Sequence, residues 1–565
     1  MNFLLPELIL KYTFFYFFLH YLGRSFAILL NKFINGDYSL PKTILHIKSQ
    51  LLFPIIGICF LGNFLILLNY FLPLKSPVVG VILFLLLLPN VLAKEILLLT
   101  ENRLRNLFYF IVLPSILLIS TYNTGFHYDV GYYHLPHQNW LRESNLILGM
   151  VNLFWPFGMS SVYEYFSAIL WFDSSFVFLH FLTILFIHFL YLFISENLLN
   201  PNEKILRNVS FTILIFSILD NLGYEGGRNG FIYIQGVSKQ DIAVGVLFSI
   251  ISLIILLFLQ KNTIRELDFS VLILLSFFIF QMKVSGVFVF YILGIFTILM
   301  LKNKIITFPN LIKINLPVLF FAFIWFLKSY LTTGCLIFPL SQTCFNSFDW
   351  YLIGTTEIYE VITKTSSLAF IDYYHSTQDT YRDWIIDFLD YDFYEAVVIN
   401  YVFSIIVIFT LKKIMFLNNK PSKLIRNLSF SYIFFNGVYL IFYGPIPRYA
   451  IGILIFTVGF IAFYSGSLKY NIKPLIYYCL VFISVVFIVR STSYLDMING
   501  GSLDLFDPRL EAEYIKVNED WVVPDEGDQC WIKLDCSMEW IYNPNYIIYI
   551  EDESFFDIAY KVRTK

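Results

Sequence analysis

Charge is scarce in this chain. Asp, Glu, Lys and Arg together make up 14% of its 565 residues, against roughly 25% in an ordinary soluble domain. That shortage excludes a water-soluble globule, because 58% of the residues are hydrophobic and 20% aromatic, leaving too few polar groups for a wet surface. No basic stripe is present either. Lys and Arg lie in short connections between apolar runs, which speaks against nucleic acid as a partner. A glycine-rich phosphate loop of the nucleotide-binding kind is missing, so a nucleotide-sugar donor is not expected. Internal repeats and low-complexity tracts are also lacking. The opening stretch "MNFLLPELILKYTFFYFFLHYLGRSFAILL" has no basic n-region and no small-residue cleavage site. It is expected to be a first membrane helix, not a removed signal.

What the chain does have is long apolar runs. They predict an all-α polytopic membrane protein of about fourteen transmembrane helices. The runs fall near 4–30, 51–73, 77–93, 106–120, 175–195, 207–222, 241–259, 269–283, 286–301, 311–329, 396–411, 427–443, 449–465 and 474–490. The connections "KNTIRE" (261–266), "LKNK" (301–304), "LKKIMFLNNKPSKLIR" (411–426) and "SLKYNIK" (467–473) are basic. The positive-inside rule assigns them to the cytoplasm. Residues 345–395 and the tail 491–565 are acidic and are assigned to the outer side. Cys59 and Cys479 fall inside predicted spans. Cys335 with Cys344, and Cys530 with Cys536, form two closely spaced pairs on the oxidising side, which reads as two local disulfides. The tail ends in "NYIIYIEDESFFDIAYKV", an alternating pattern expected to build a small α/β or β-rich cap.

The densest polar segment is "HYDVGYYHLPHQNWLRE", His127 to Glu143, directly after an apolar run. A carboxylate at the end of a span is costly unless its site is wet or paired, which marks Asp129 as a candidate functional group. The plainer reading is an interfacial Asp that caps a helix or pairs with a basic neighbour. His127, Tyr133, His134 and His137 surround it in sequence and suit hydrogen bonding to a sugar. Their spacing is not specific for a metal, and a divalent ion is not indicated. Trp140, Trp155 and Trp171 fit sugar stacking or an interfacial aromatic belt. The loop is expected to continue as two amphipathic surface helices, one ended by Gly149 and one over 160–172. Further along, "GYEGGRNGFIYIQG" places Glu225 and Arg228 among glycines that permit close approach to a ligand. In "GVSKQDIAVG", Lys239 precedes Asp241 at a helix start, where the helix dipole alone would favour an acid. Lys283 interrupts a long apolar stretch, and Arg448 sits in the rigid "YGPIPRYAIG", where a guanidinium suits a lipid-linked phosphate.

Taken in order, "YDVGYYHLPHQNWL…LGMVNLFWPFGMSS", "GYEGGRNGFIYIQGVSKQDIAVG", "KSYLTTGCLIFPLSQTCF", "YGPIPRYAIG" and "VPDEGDQCW" resemble the GT-C superfamily of integral membrane glycosyltransferases. The resemblance spans about residues 105–535 and rests on the order of the motifs. The first three spans are a departure from the simplest form of that class. It implies a GT-C-like core at 106–330 with a first outer loop at 121–174. Additional helices at 1–105, an outer loop at 331–395, C-terminal helices at 396–490 and a cap at 491–565 complete the division. It further implies transfer of a sugar from a polyprenyl-phosphate-linked donor to a glycan or lipid acceptor on the outer face of a bacterial cytoplasmic membrane. Asp129 takes the role of catalytic base, Asp241 that of a second acid serving acceptor or metal, and Arg448 that of donor-phosphate ligand. Burial beside aromatics is expected to raise the Asp129 pKa and strengthen it as a base. The alternatives are a transporter or flippase, and a glycan polymerase. Transporters favour mid-membrane charges and inverted repeats, whereas here the polar residues gather at span ends.

Overall fold

The computed structural model describes residues 5–92, 103–121, 126–171, 176–199, 203–222, 231–232, 236–348, 350–351, 354–368, 392–443, 446–469, 481, 485, 512–517, 521–537, 546–551 and 559–564. The protein is a helical membrane protein. Among the described residues, eight helices are long and apolar enough to cross a bilayer: Pro6–Asn35, Ser49–Asn69, Val177–Leu199, Asp241–Lys261, Val284–Lys302, Phe308–Thr333, Val397–Met415 and Pro447–Tyr464.

The expected count of about fourteen is therefore corrected to eight among these residues, and the reasons are local. The run near 77–93 folds as two short pieces, Pro77–Leu85 and Leu88–Leu92. The run near 106–120 belongs to a helical stretch from Arg103 to Ser120 that opens with Arg103 and Arg105 and passes through a π turn at Phe108–Val112. Glu266–Met282 has 17 residues and opens with two acids, just short of the ~20 that match a ~30 Å hydrocarbon layer. Lys204–Leu222 and Lys423–Tyr443 are long enough but are diluted by polar residues such as Arg207, Asp220, Arg426 and Asn436. The run 474–490 lies almost wholly outside the described residues.

The bundle has a centre and a periphery. Val177–Leu199 and Asp241–Lys261 are buried along their whole apolar windows, whereas those of Phe308–Thr333 and Val397–Met415 are 33% and 22% buried. The outer helices present bare apolar side chains such as Phe320, Phe323, Val402 and Ile406, as a lipid-facing surface must. The first two helices pack closely through Gly23 and Gly57. A Cβ on Gly57 would lie 2.0 Å from the Leu19 carbonyl oxygen, and one on Gly23 1.9 Å from that of Phe53. Small residues at such a crossing let backbones touch. Gly57→Leu is expected to cost about 1–3 kcal/mol through overpacking, read as a lower midpoint of thermal unfolding in detergent.

The two ends of the bundle differ. The connections around Lys261, Lys302 and Lys413 meet at one end, where Lys261 contacts Glu203, Asn303 bonds Asn262, and Phe416–Asn418 pairs with Ser465–Leu468. The other end carries the loop from Phe126 to Trp171. Its helices are shorter and deeper than expected. Leu135–Glu143 stops at an extended Ser144, and Gly149 opens a separate turn at Met150–Asn152. Val162–Ala168, capped by the Ser161 hydroxyl accepting from Tyr163 N–H at 3.0 Å, is buried on every side. It is not a surface helix, because it packs against Ser49–Asn69.

Both cysteine pairs form disulfides, Cys335–Cys344 and Cys530–Cys536. Cys59 is a buried free thiol; Cys479 lies outside the described residues. The tail is β-rich where described. Tyr514–Lys516 pairs antiparallel with Val522–Pro524, and Tyr546–Glu551 with Ala559–Thr564. A satellite core of Trp140, Ile147, Phe154, Trp521 and the Cys530–Cys536 bridge joins the tail to the 126–171 loop.

Candidate functional site

An isolated parallel bridge between Phe126 and Val237 fixes the site. It lays the start of the first loop beside the start of Asp241–Lys261 and so brings together side chains more than a hundred residues apart. Asp129 sits at the entry to the π turn Val130–His134. Its Oδ2 accepts from Lys239 Nζ at 2.5 Å and from the Tyr133 hydroxyl at 3.4 Å. His127 Nδ1 lies 3.3 Å from the same oxygen and 3.2 Å from the Asp129 backbone N–H. That one nitrogen accepts from the backbone when unprotonated and donates to the carboxylate when protonated. The chain reaches Lys239 through Ser238 at φ +66, a left-handed conformation unusual for a non-glycine residue.

Asp241 holds the second half of the cluster. Buried at the first position of its helix, it contacts Lys283 Nζ, with Arg448 Nε 3.8 Å from its Oδ2. Lys283 follows directly on Glu266–Met282, in extended conformation, and its ammonium lies 4.0 Å from the centre of the Tyr449 ring. Arg448 is presented by a short 3-10 turn, Pro447–Ala450. Between them opens a shallow cleft lined by Asp241, Lys283, Asn436, Tyr439, Arg448 and Tyr449.

The Asp129 expectation is corrected in sign. Burial alone lifts its carboxyl, but the His127 hydrogen bond and the Lys239 charge outweigh burial and hold it well below the usual carboxylate range. Burial and the neighbouring Arg448 charge bring Lys239 down to about 8, although Asp129 and Asp241 oppose the fall. Burial, with the Asp129 charge second, raises the Tyr133 hydroxyl. Asp129 is thus a restrained base, tied to a cation.

The remaining expected residues sort as follows. His134 is taken by a second buried system: its Nδ1 lies 2.6 Å from Glu164 Oε1, while Gln138 donates to Glu164 Oε2 at 2.7 Å and to the Ser238 hydroxyl at 3.4 Å. His137 faces away from Asp129 and stacks on Phe157 with ring centres 5.3 Å apart. Burial, reinforced by the Lys328 charge, holds its pKa well below the ordinary histidine value, so it is a neutral imidazole. Trp171 is buried and donates to Gln138 at 2.9 Å, and the half-buried Trp155 stacks on Tyr359. Glu225 and Arg228 lie outside the described residues. Among the described residues, no group of three or more His, Cys, Asp or Glu side chains is arranged to hold a metal ion.

Two functional-looking residues escape sequence reasoning. Glu164 is 3% exposed; in sequence, Ser161 three residues earlier makes it look like half of a capping box. Lys328 is 2% exposed, donates to the Ser160 carbonyl at 3.2 Å and lies 4.1 Å from the Trp325 ring centre. Its signal was a charge inside an apolar helix.

A family model described as a domain of unknown function (DUF8201) matches residues 8–455, and the chain belongs to that family. No curated protein and no solved structure matches it.

Proposed function

We propose that this DUF8201-family membrane protein is a glycosyltransferase of the GT-C kind, using a polyprenyl-phosphate-linked sugar donor. The observation that carries the reading is one contiguous cluster at the end of the bundle away from the basic loops. In it Asp129 pairs with Lys239, and Asp241, two residues beyond Lys239, pairs with Lys283 and Arg448. A phosphate on a lipid chain needs cations at a span end. Lys283 and Arg448, beside the cleft, supply them. An acceptor hydroxyl needs a base, and Asp129 is the carboxylate with most access, at 21% exposure against 1% for Asp241.

The reaction runs from these parts. The acceptor oxygen bonds to the sugar's anomeric carbon while the bond from that carbon to the phosphate oxygen breaks. The proton passes to Asp129, and polyprenyl phosphate leaves with the electron pair, its charge held by the cations. The Asp129–Lys239 pair gives the sequence an order. The donor phosphate competes for Lys239, loosening its hold on Asp129 and returning the carboxylate toward an ordinary basicity. Donor therefore precedes acceptor. The proposed setting is the outer face of the cytoplasmic membrane, since the four basic connections belong on the inner face. Asp241 acts here as a counter-ion that keeps Lys283 and Arg448 in place.

A pH dependence follows. Donor capture requires charged Lys239, so kcat/KM for the lipid-linked donor falls as pH rises through about 8. In Lys239→Arg the charge persists and that limb moves upward. A pH profile of both proteins checks this. The function itself is tested with purified protein and lipid extract from a strain lacking the gene. Release of free polyprenyl phosphate on adding wild-type protein is expected. Intact lipid-linked sugar merely moved between leaflets of a vesicle would favour a flippase instead.

A further inference from the structure

We propose that the segment Asp528–Cys536, closed at its end by the Cys530–Cys536 disulfide, is a positioning element for the Asp129 carboxylate, with Trp531 as its central residue. The inference rests on the reading of Asp129 as the reacting base, and it concerns a segment some 400 residues later in the chain. The contacts fall on both sides of Asp129. On one side Tyr128 bonds through its hydroxyl to Asp528, and its carbonyl accepts from Gln529 Nε2 at 3.3 Å. On the other side Trp531 N–H donates to the Gly131 carbonyl at 2.9 Å. Further on, Asn139 donates to the Ile532 carbonyl at 2.7 Å.

The fit at Gly131 is tight. A Cβ there would lie 2.6 Å from Gln529 Oε1 and 2.7 Å from Trp531 Cδ2, so only glycine lets the loop approach this closely. Gly131 belongs to the π turn Val130–His134, a rare geometry that needs support from its surroundings. Trp531 itself takes φ +50, in the left-handed region that non-glycine residues rarely adopt. Such a conformation persists where surrounding contacts over-determine it. Here Cys530 and Cys536, 3% and 5% exposed, anchor the loop in the satellite core with Trp521 and Trp140. The cations Lys283 and Arg448 lie on separate elements, directly after Glu266–Met282 and within the 3-10 turn Pro447–Ala450. The loop therefore controls where the base stands without holding the donor.

The test uses the full-length protein in detergent, as wild type, Trp531→Ala, Trp531→Phe and Cys530→Ser/Cys536→Ser. Hydrogen exchange reads the geometry without any substrate. In Trp531→Ala and the double serine variant, exchange over 127–134 is expected to rise about tenfold or more, with 241–261 unchanged. Transfer kinetics are expected to show kcat falling about tenfold or more with a smaller rise in donor KM through the Asp129–Lys239 pair, and Trp531→Phe to retain most of the rate. Unchanged exchange at 127–134 would overturn the proposal. So would a rise spread over the whole protein, which makes the loop a general brace, or a shift confined to donor KM. If exchange rises locally while Asp129→Asn transfers sugar at the wild-type rate, the loop still positions Asp129 and the glycosyltransferase reading of that residue fails.

Discussion

Asp129→Asn is expected to lower the single-turnover rate of sugar transfer by about 10²–10⁴-fold, the range a positioned general base contributes. The substitution is close to isosteric and keeps an oxygen for the Tyr133 hydroxyl, so the fold around it should persist. What it loses is the proton acceptor. It also strips Lys239 of its partner at 2.5 Å, leaving a mostly buried ammonium whose burial already pulls it down to about 8. Lys239 should then lose its proton at a lower pH still, and donor affinity should weaken at neutral pH. A rapid-mixing assay with donor in excess separates the two effects. The chemical step reports the base, and the donor concentration needed for saturation reports the cation.

The second large effect is expected at the cations. Arg448→Ala and Lys283→Ala should each raise the donor KM by about 10–100-fold while leaving the rate at saturation less affected, because each removes a charge-assisted contact to the phosphate worth about 1.5–3 kcal/mol. Lys283→Ala should be the more severe. Its ammonium contacts Asp241 directly and covers Tyr449, whereas Arg448 stands 3.8 Å from the same carboxylate. Asp241→Ala should act in the opposite sense on the fold. It leaves Lys283 and Arg448 beside one another without their shared counter-ion, and the unfolding midpoint should fall. Measuring donor KM together with thermal unfolding for all three variants separates a phosphate site from a merely structural ion pair, which would change stability alone.

Much of this site was legible because charge is rare in the chain. Asp129, Lys239, Asp241, Lys283 and Arg448 each interrupt or border an apolar run, and an apolar background makes every charge conspicuous. Their pairing was not legible. Nothing local announces that Asp129 meets Lys239, since the Phe126–Val237 bridge that joins them closes over more than a hundred residues. The sign of the Asp129 shift was lost for the same reason: burial was foreseeable and a basic neighbour was an open alternative, but nothing local identified it as Lys239. Glu164 was hidden by a plausible local role, for Ser161 and Glu164 have capping-box spacing, yet the carboxylate bonds to His134 and Gln138 instead. His134 and His137 stood together in sequence, but His134 turns to Glu164 while His137 stacks on Phe157. The span count overshot because hydropathy measures apolar length without seeing where a helix breaks. The stretch Pro77–Leu92, interrupted between Leu85 and Leu88, is too short to cross.

The central claim is that the cluster around Asp129 transfers a sugar from a lipid carrier. Mass spectrometry of polyprenyl-linked sugars and of the surface glycan tests it most directly. The comparison is between wild type, a deletion strain and an Asp129→Asn strain with matched protein in the membrane. The account predicts that both altered strains lose the same glycan linkage and accumulate the same unused lipid-linked sugar. A linkage missing from the deletion but intact in Asp129→Asn would contradict the role given to this carboxylate, and a glycan unchanged in both would contradict the transferase itself.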